Sequence, residues 1–132
     1  MYLGVAYYPE HWDKQDWERD ISLMKEAGLN VVRLAEFAWS QIERTEGRFS
    51  FEWLDEVLEL LAKHGLKAIM CTPTAAPPPW LTHKHPSILP VDQNGVVMSP
   101  GSRRHYCPSS PIYREYAGKI VQEMVDHVRD ND

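Results

Sequence analysis

The chain has 132 residues, 43% hydrophobic and 25% charged, with a formal net charge of −5. That is one globular domain's worth of sequence, and its acidity argues against a nucleic-acid partner, whose phosphates it would repel. No apolar run approaches the ~18 residues of a membrane span, and the opening Met1-Tyr-Leu-Gly-Val-Ala6 lacks the basic and apolar regions of a secretory signal. The two cysteines, Cys71 and Cys107, stand too far apart in sequence to suggest a disulfide framework, so a cytoplasmic, reducing setting is expected.

Residues 3–8 are apolar and aromatic and end at Pro9, which predicts a buried first strand. A helix follows, with Asp13 as N-cap, Trp17, Ile21 and Met24 as its apolar stripe, and Gly28 as the C-terminal glycine. Val31–Phe37 reads as the second strand, with the charges Arg33 and Glu36 inside it. The next helix repeats the pattern: Ser50 as cap, a stripe of Leu54, Val57, Leu58 and Leu61, and a stop at Gly65-Leu66-Lys67, 37 residues after the stop at Gly28. A third strand is predicted at Ala68–Thr72.

Prolines 73, 77, 78 and 79 then break regular structure and open a polar loop that reaches about Ser110. Within it, Val91–Val97 carries an Asn94-Gly95 turn, the signal of a small hairpin. Ser110 as N-cap and Pro111 at the first helical position start a third helix, with Tyr116, Ile120 and Met124 on its apolar face and an end near Arg129.

The order βαβαβα implies right-handed crossovers and a parallel sheet. No glycine-rich phosphate loop follows strand one, where Pro9-Glu10-His11-Trp12 stands, so the dinucleotide fold is disfavoured. The long third βα loop favours an α/β fold of the partial (β/α)8 TIM barrel type, comprising the first three βα units. The whole of 1–132 is then the N-terminal part of a barrel domain that takes roughly 250 residues. Both sheet edges should be exposed, which predicts marginal stability, oligomerisation or aggregation.

Barrel sites lie at the carboxyl ends of the strands. Strand one delivers Tyr7, Tyr8, Glu10, His11 and Trp12 there, strand two Arg33, Glu36, Phe37 and Trp39, and strand three Thr72, Thr74 and, after the prolines, Trp80. Trp12, Trp39 and Trp80 could plate a sugar ring or simply cover the barrel mouth. Arg33, charged inside an apolar strand, needs compensation by Glu36 or Glu10, and the same charge could reach a substrate hydroxyl. Neighbouring strands lie about 4.8 Å apart, so Glu10 and Glu36 are permitted as a retaining carboxylate pair, which requires about 5–5.5 Å. A shared arginine would hold both ionised, which suits binding better than proton donation. His83 with His85, and His105 with Cys107, are weak metal signals on spacing alone. Arg103-Arg104-His105 is either a local loop feature or an anion contact.

The motifs Gly4-Val-Ala-Tyr-Tyr-Pro-Glu-His-Trp12, Val32-Arg-Leu-Ala-Glu-Phe-Ala-Trp39, Thr72-Pro-Thr-Ala-Ala-Pro-Pro78, Pro79-Trp-Leu81 and Arg103-Arg-His-Tyr-Cys-Pro108 together resemble the opening of the family 42 β-galactosidases. The resemblance implies a (β/α)8 barrel, a retaining mechanism on terminal β-D-galactosyl residues, and often a trimer. It makes a β-galactoside the substrate and Arg33 the galactose-contacting residue of strand two; Glu36, expected beside Arg33 from the residues themselves, is a second candidate substrate-binding residue. It matches Cys107 to the first cysteine of a zinc cluster found in some members, whose other cysteines lie further along, so Cys107 lacks those partners here. No cofactor is required, and zinc is an accessory of some complete enzymes. The family's acid/base glutamate ends strand four and its nucleophile ends strand seven, so this chain is expected to be inactive alone. The alternatives are a noncatalytic sugar-binding or half-barrel assembly module, and a small hydrolase using Glu10 and Glu36.

Overall fold

A computed structural model describes residues 1–101 and 103–129. They form two compact units, one of Met1–Glu36 with Phe51–Cys71, the other of Phe37–Ser50 with the described residues from Thr72 onward.

The first unit carries β1 (Gly4–Ala6), α1 (Lys14–Glu26), β2 (Val31–Leu34), α3 (Glu52–Lys63) and β3 (Lys67–Met70). The strands form a parallel sheet in the order β1-β2-β3, with Val5 beside Val32 and Arg33 beside Ile69. This is the predicted βαβαβ order with each strand next to its sequence neighbour.

Both helices stop by the same device. Gly28 and Gly65 take φ of +81° and +65°, a left-handed conformation that costs glycine nothing. In α1 the Leu29 N–H then bonds Met24 O at 3.1 Å and the Gly28 N–H bonds Lys25 O at 3.0 Å; in α3 Leu66 and Gly65 bond Leu61 and Ala62 at 2.9 Å each. These paired bonds satisfy carbonyls that a bare helix end would leave open, and the leucine after each glycine turns the chain into the next strand. Lys63 Nζ of α3 meets Glu18 of α1 at 2.9 Å.

The stripes are as read from sequence: Trp17, Ile21, Leu54, Val57 and Leu61 are buried, with Met24 and Leu58 half-buried at their margins. Each fully buried aliphatic side chain contributes about 1.5–3 kcal/mol relative to exposure. Ser50 does not cap α3. That helix starts at Glu52 with Phe51 in the cap position, its first turn held by Leu54 N–H to Phe51 O at 2.8 Å. Asp13 does precede α1, but its side chain makes no cap bond; its carbonyl takes the Asp16 N–H at 2.9 Å.

The expectation of a buried first strand is corrected. Gly4, Val5 and Ala6 are all exposed, as are Lys67, Ala68 and Ile69 of β3, whereas β2 between them has Val32 and Leu34 fully buried. An apolar run is needed where a strand will be covered on both faces, and here only the central strand has neighbours on both edges.

The second unit holds α2 (Trp39–Ile42), α4 (Pro79–Lys84) and α5 (Pro111–Val128). Neither α2 nor α4 is legible in the sequence, because one turn following an alanine and one turn started by prolines leave no periodic stripe. Pro79 at the first turn of α4 and Pro111 at that of α5 give up an N–H that would be unpaired there anyway. Ser110 caps α5 as predicted, its Oγ accepting the Tyr113 N–H at 3.3 Å. The small hairpin is present: Val91 bridges Val97 antiparallel, Gly95 has φ of +80°, and Asp92 Oδ1 accepts the N–H groups of Asn94 and Val96 at 2.8 Å. Among the described residues no helix is long and apolar enough to cross a membrane.

Candidate functional site

The polar cluster of the first unit forms where β2 ends. Arg33 is half-exposed between the buried Val32 and Leu34. Ala35, fully buried, has φ of +68°, an unusual conformation for a residue with a Cβ. Glu36 follows it, and its Oε1 accepts from Arg33 Nη2 at 2.8 Å. Its Oε2 accepts from Tyr8 Oη, just beyond β1, at 3.2 Å. The Glu36 hydrogen bond and then the Cys71 thiol, just beyond β3, hold the Arg33 guanidinium above its ordinary range. A residue just beyond each outer strand thus touches the same ion pair, and the Arg33 side chain remains 42% exposed. Chemically, a permanent cation beside its counter-ion can donate to one hydroxyl group and accept from another.

Glu10 does not share Arg33. Both its carboxyl oxygens are buried without a hydrogen-bond partner among the described residues. Burial pushes its pKa up, opposed only in part by its own backbone N–H and by His11. The expectation of two carboxylates ionised by one arginine is therefore corrected, and with it the Glu10–Glu36 hydrolase, since a carboxyl whose oxygens are sealed cannot reach a glycosidic oxygen. The cause is the turn Pro9–His11, anchored by Trp17 Nε1 donating to Pro9 O at 3.0 Å, which folds Glu10 inward and leaves His11 and Trp12 exposed.

Of the tryptophans expected either to plate a sugar ring or to cover the barrel mouth, Trp39 and Trp80 lie in the second unit. Trp39 is fully buried and its Nε1 donates to Glu43 Oε2 at 2.8 Å, while Glu43 Oε1 accepts the Gly47 N–H at 2.8 Å. It is a core residue. Trp80 is half-buried, with Nε1 bonded to Glu43 O at 2.8 Å and its ring edge-on to Tyr116 at 5.6 Å. It lines an open groove of about 460 Å³ together with Arg44, Pro78 and Pro79. Arg103 stacks on Phe37 at 4.6 Å, the Arg104 N–H bonds Ala75 O at 2.9 Å, and His105 lies 3.3 Å from Pro77 O, which are local loop contacts. Cys107 is a free thiol, half-buried, whose N–H bonds Ile88 O at 2.7 Å. No group of three or more His, Cys, Asp or Glu among the described residues is placed to hold a metal.

The sequence reading paired Arg33 with Glu36 and put Tyr8 at the carboxyl end of strand one without joining it to the pair; it missed Cys71. The signal was available: in a parallel sheet the residues just past adjacent strand ends are neighbours.

The profile of glycoside hydrolase family 42, described as β-galactosidase, matches residues 6–132. The β-galactosidase Bga of Halorubrum lacusprofundi is 50% identical over 131 residues, which cover 99% of this chain and 19% of that protein. A β-galactosidase of Thermus thermophilus is 55% identical over 124 residues, 94% of this chain and 19% of that one. Solved structures of the H. lacusprofundi enzyme and of a β-galactosidase from the psychrophilic Marinomonas ef1 superpose at a TM-score of 0.94, at 50% and 48% identity, each over 99% of this chain and 20% of the other. The chain spans about a fifth of the length of these relatives. With matching sequence, matching fold and the motifs in order from Gly4 to Pro108, the chain belongs to glycoside hydrolase family 42 and aligns with the N-terminal fifth of its β-galactosidases.

Proposed function

We propose that the chain supplies one wall of the galactosyl pocket of a retaining β-galactosidase, the first three βα units of a (β/α)8 barrel, with Arg33 and Glu36 as its sugar-binding pair. The observation that carries this is the 2.8 Å Arg33–Glu36 ion pair at the carboxyl end of the central strand. In a barrel that end faces the substrate. Arg33 donates to sugar hydroxyls while Glu36, held by Tyr8, fixes the guanidinium plane and accepts in turn. The bond-breaking steps belong to two glutamates after strands four and seven: one attacks the anomeric carbon, the other protonates the leaving oxygen and then activates water. The 132-residue chain alone is inactive on this reading, works in a reducing cytoplasm that keeps Cys71 and Cys107 as thiols, and belongs to an enzyme that assembles as a homo-oligomer. Zinc, where the complete enzyme holds it, takes its further ligands from outside this chain.

The test has two arms. Purified chain of verified mass should give no turnover of a chromogenic aryl β-galactoside. Residues 1–132 grafted onto the remaining four fifths of the Marinomonas enzyme should give turnover, and Arg33→Ala in that graft should lower kcat/KM about 10–100-fold, the effect of losing a charged hydrogen bond. An active graft indifferent to Arg33→Ala would refute the role of the pair.

A further inference from the structure

The register of the sheet brings three side chains to one face where β2 ends. Arg33 pairs with Ala6 of β1 and with Ile69 of β3. Beyond both strands the ladder runs on, the Tyr7 N–H bonding Arg33 O at 2.9 Å and the Cys71 N–H bonding Leu34 O at 3.0 Å. Side chains two residues apart along a strand share a face. Tyr8 therefore stands one step past Ala6, and Cys71 one step past Ile69, on the face of Arg33 and within reach of a side chain as long as arginine.

A strand continued past Leu34 would set residue 35 level with both Tyr8 and Cys71. Instead Ala35 takes φ of +68° and brings only a methyl group, and Glu36 turns back onto Arg33 at 2.8 Å. Tyr8 Oη, at 3.2 Å from Glu36 Oε2, ties that carboxylate to the β1 side. On the β3 side the group against the guanidinium is the Cys71 sulfur, which after Glu36 does most to hold it above its ordinary range. Cys71 is half-buried and a free thiol.

We propose that Cys71 is a positioning residue for sugar binding: its sulfur steadies the Arg33 guanidinium from the β3 side, opposite the Tyr8–Glu36 arm, and the two contacts together aim Arg33 at a galactosyl hydroxyl. The inference rests on the reading of Arg33 and Glu36 as the sugar-binding pair. A planar fork held at one point swings about that point, and a second contact removes the swing. Each orientation excluded beforehand is ordering that the sugar need not impose when it binds. The chemistry of the second contact matters as well. A carboxylate at position 71 would compete with the sugar oxygens for the same N–H groups, whereas sulfur, a weak acceptor, steers the guanidinium and competes little.

The test uses the graft onto the Marinomonas enzyme. Cys71→Ala and Cys71→Ser remove the same sulfur and differ only by a hydroxyl that can accept from Arg33. Cys71→Ala should raise KM for the aryl β-galactoside about 3–10-fold and leave kcat within about twofold, a loss of binding shared by ground state and transition state. Cys71→Ser should keep KM within about twofold of the parent. In an Arg33→Ala graft, Cys71→Ala should change nothing further, because its effect runs through the guanidinium. Should the smaller side chains destabilise the graft, Cys71→Thr and Cys71→Val give the same comparison, with and without an acceptor. A KM unmoved by Cys71→Ala, equal KM values for the Ala and Ser variants, or an Ala effect that persists in the Arg33→Ala graft would each overturn the proposal and leave the enzyme reading standing. A graft without turnover, or one indifferent to Arg33→Ala, overturns the sugar-binding pair and this inference with it.

Discussion

Replacing Glu10 should make the isolated chain more stable, and the size of the gain should depend on pH. Among the described residues neither oxygen has a hydrogen-bond partner of good geometry, its own backbone N–H helping only in part, so the native state carries the desolvation of a poorly paired acceptor, about 1–3 kcal/mol and more when the group is ionised. Glu10→Met fills nearly the same volume and removes both acceptors; Glu10→Gln removes the charge and keeps an acceptor. Burial raises the folded pKa above that of the unfolded chain, so between the two values the folded state binds more protons, and stability falls as pH rises through that window. Below the unfolded value, about 4.3 for glutamate, both states are protonated and the charge part of the cost vanishes. The expectation at pH 7 is therefore Met above Gln above Glu, with Met gaining at least ~1–3 kcal/mol, or several degrees at about 4 °C per kcal/mol for a chain of this size. The Gln advantage should disappear near pH 4. Thermal unfolding of the three proteins at pH 4, 5.5 and 7 measures this, and a Glu10→Met variant less stable than the parent at pH 7 would refute the claim that Glu10 is poorly paired.

Other expectations concern the frame. Gly28→Ala and Gly65→Ala meet no steric wall, Gly65 only Lys25 Nζ at 3.5 Å, so each should cost the left-handed penalty alone, about 1–2 kcal/mol, and the double variant should be additive by urea denaturation. Trp39→Phe keeps the buried ring but strips Glu43 of its indole donor, and should lose about 1–3 kcal/mol, whereas Trp39→Ala should lose about 3–5. A cost for Trp39→Phe under half a kilocalorie would show that the Glu43 bond is idle.

The repeat of helix stop and strand start was readable because Gly28-Leu29 and Gly65-Leu66 carry it in local chemistry: a left-handed glycine, then an apolar residue. The periodic stripes from Trp17 to Leu61 were readable for the same reason. The α3 start was not, since Ser50 and Phe51 compete for the cap and the outcome depends on where the preceding chain enters. Arg33 was legible from strangeness alone, a charge amid Val and Leu. The fates of Glu10 and Trp39 were not, because each is decided by a neighbour distant in sequence or by a turn: the Trp17–Pro9 bond turns Glu10 inward, and Glu43, one helical turn away, draws Trp39 into the core.

Ala35 shows how the backbone and the site are joined. Its φ of +68° reverses the chain after β2, so that Glu36 returns to Arg33 as an i,i+3 pair instead of pointing away along the strand. Glycine at this position would release about 1–2 kcal/mol of left-handed strain. It would also give back about 0.5–1 kcal/mol in backbone entropy and about 0.8 kcal/mol for a buried methyl group. The terms nearly cancel, so Ala35→Gly should lie within about 1 kcal/mol of the parent in urea denaturation. Binding is where the difference should appear: a looser turn lets Glu36 leave the guanidinium, and in the active graft KM should rise while kcat/KM falls. Ala35→Val places a β-branched side chain at positive φ in a fully buried site, and should destabilise by several kcal/mol on both counts, on the order of 3 or more. If Ala35→Gly gained about 2 kcal/mol with KM unchanged, the strained alanine would be a folding defect without a part in orienting the ion pair.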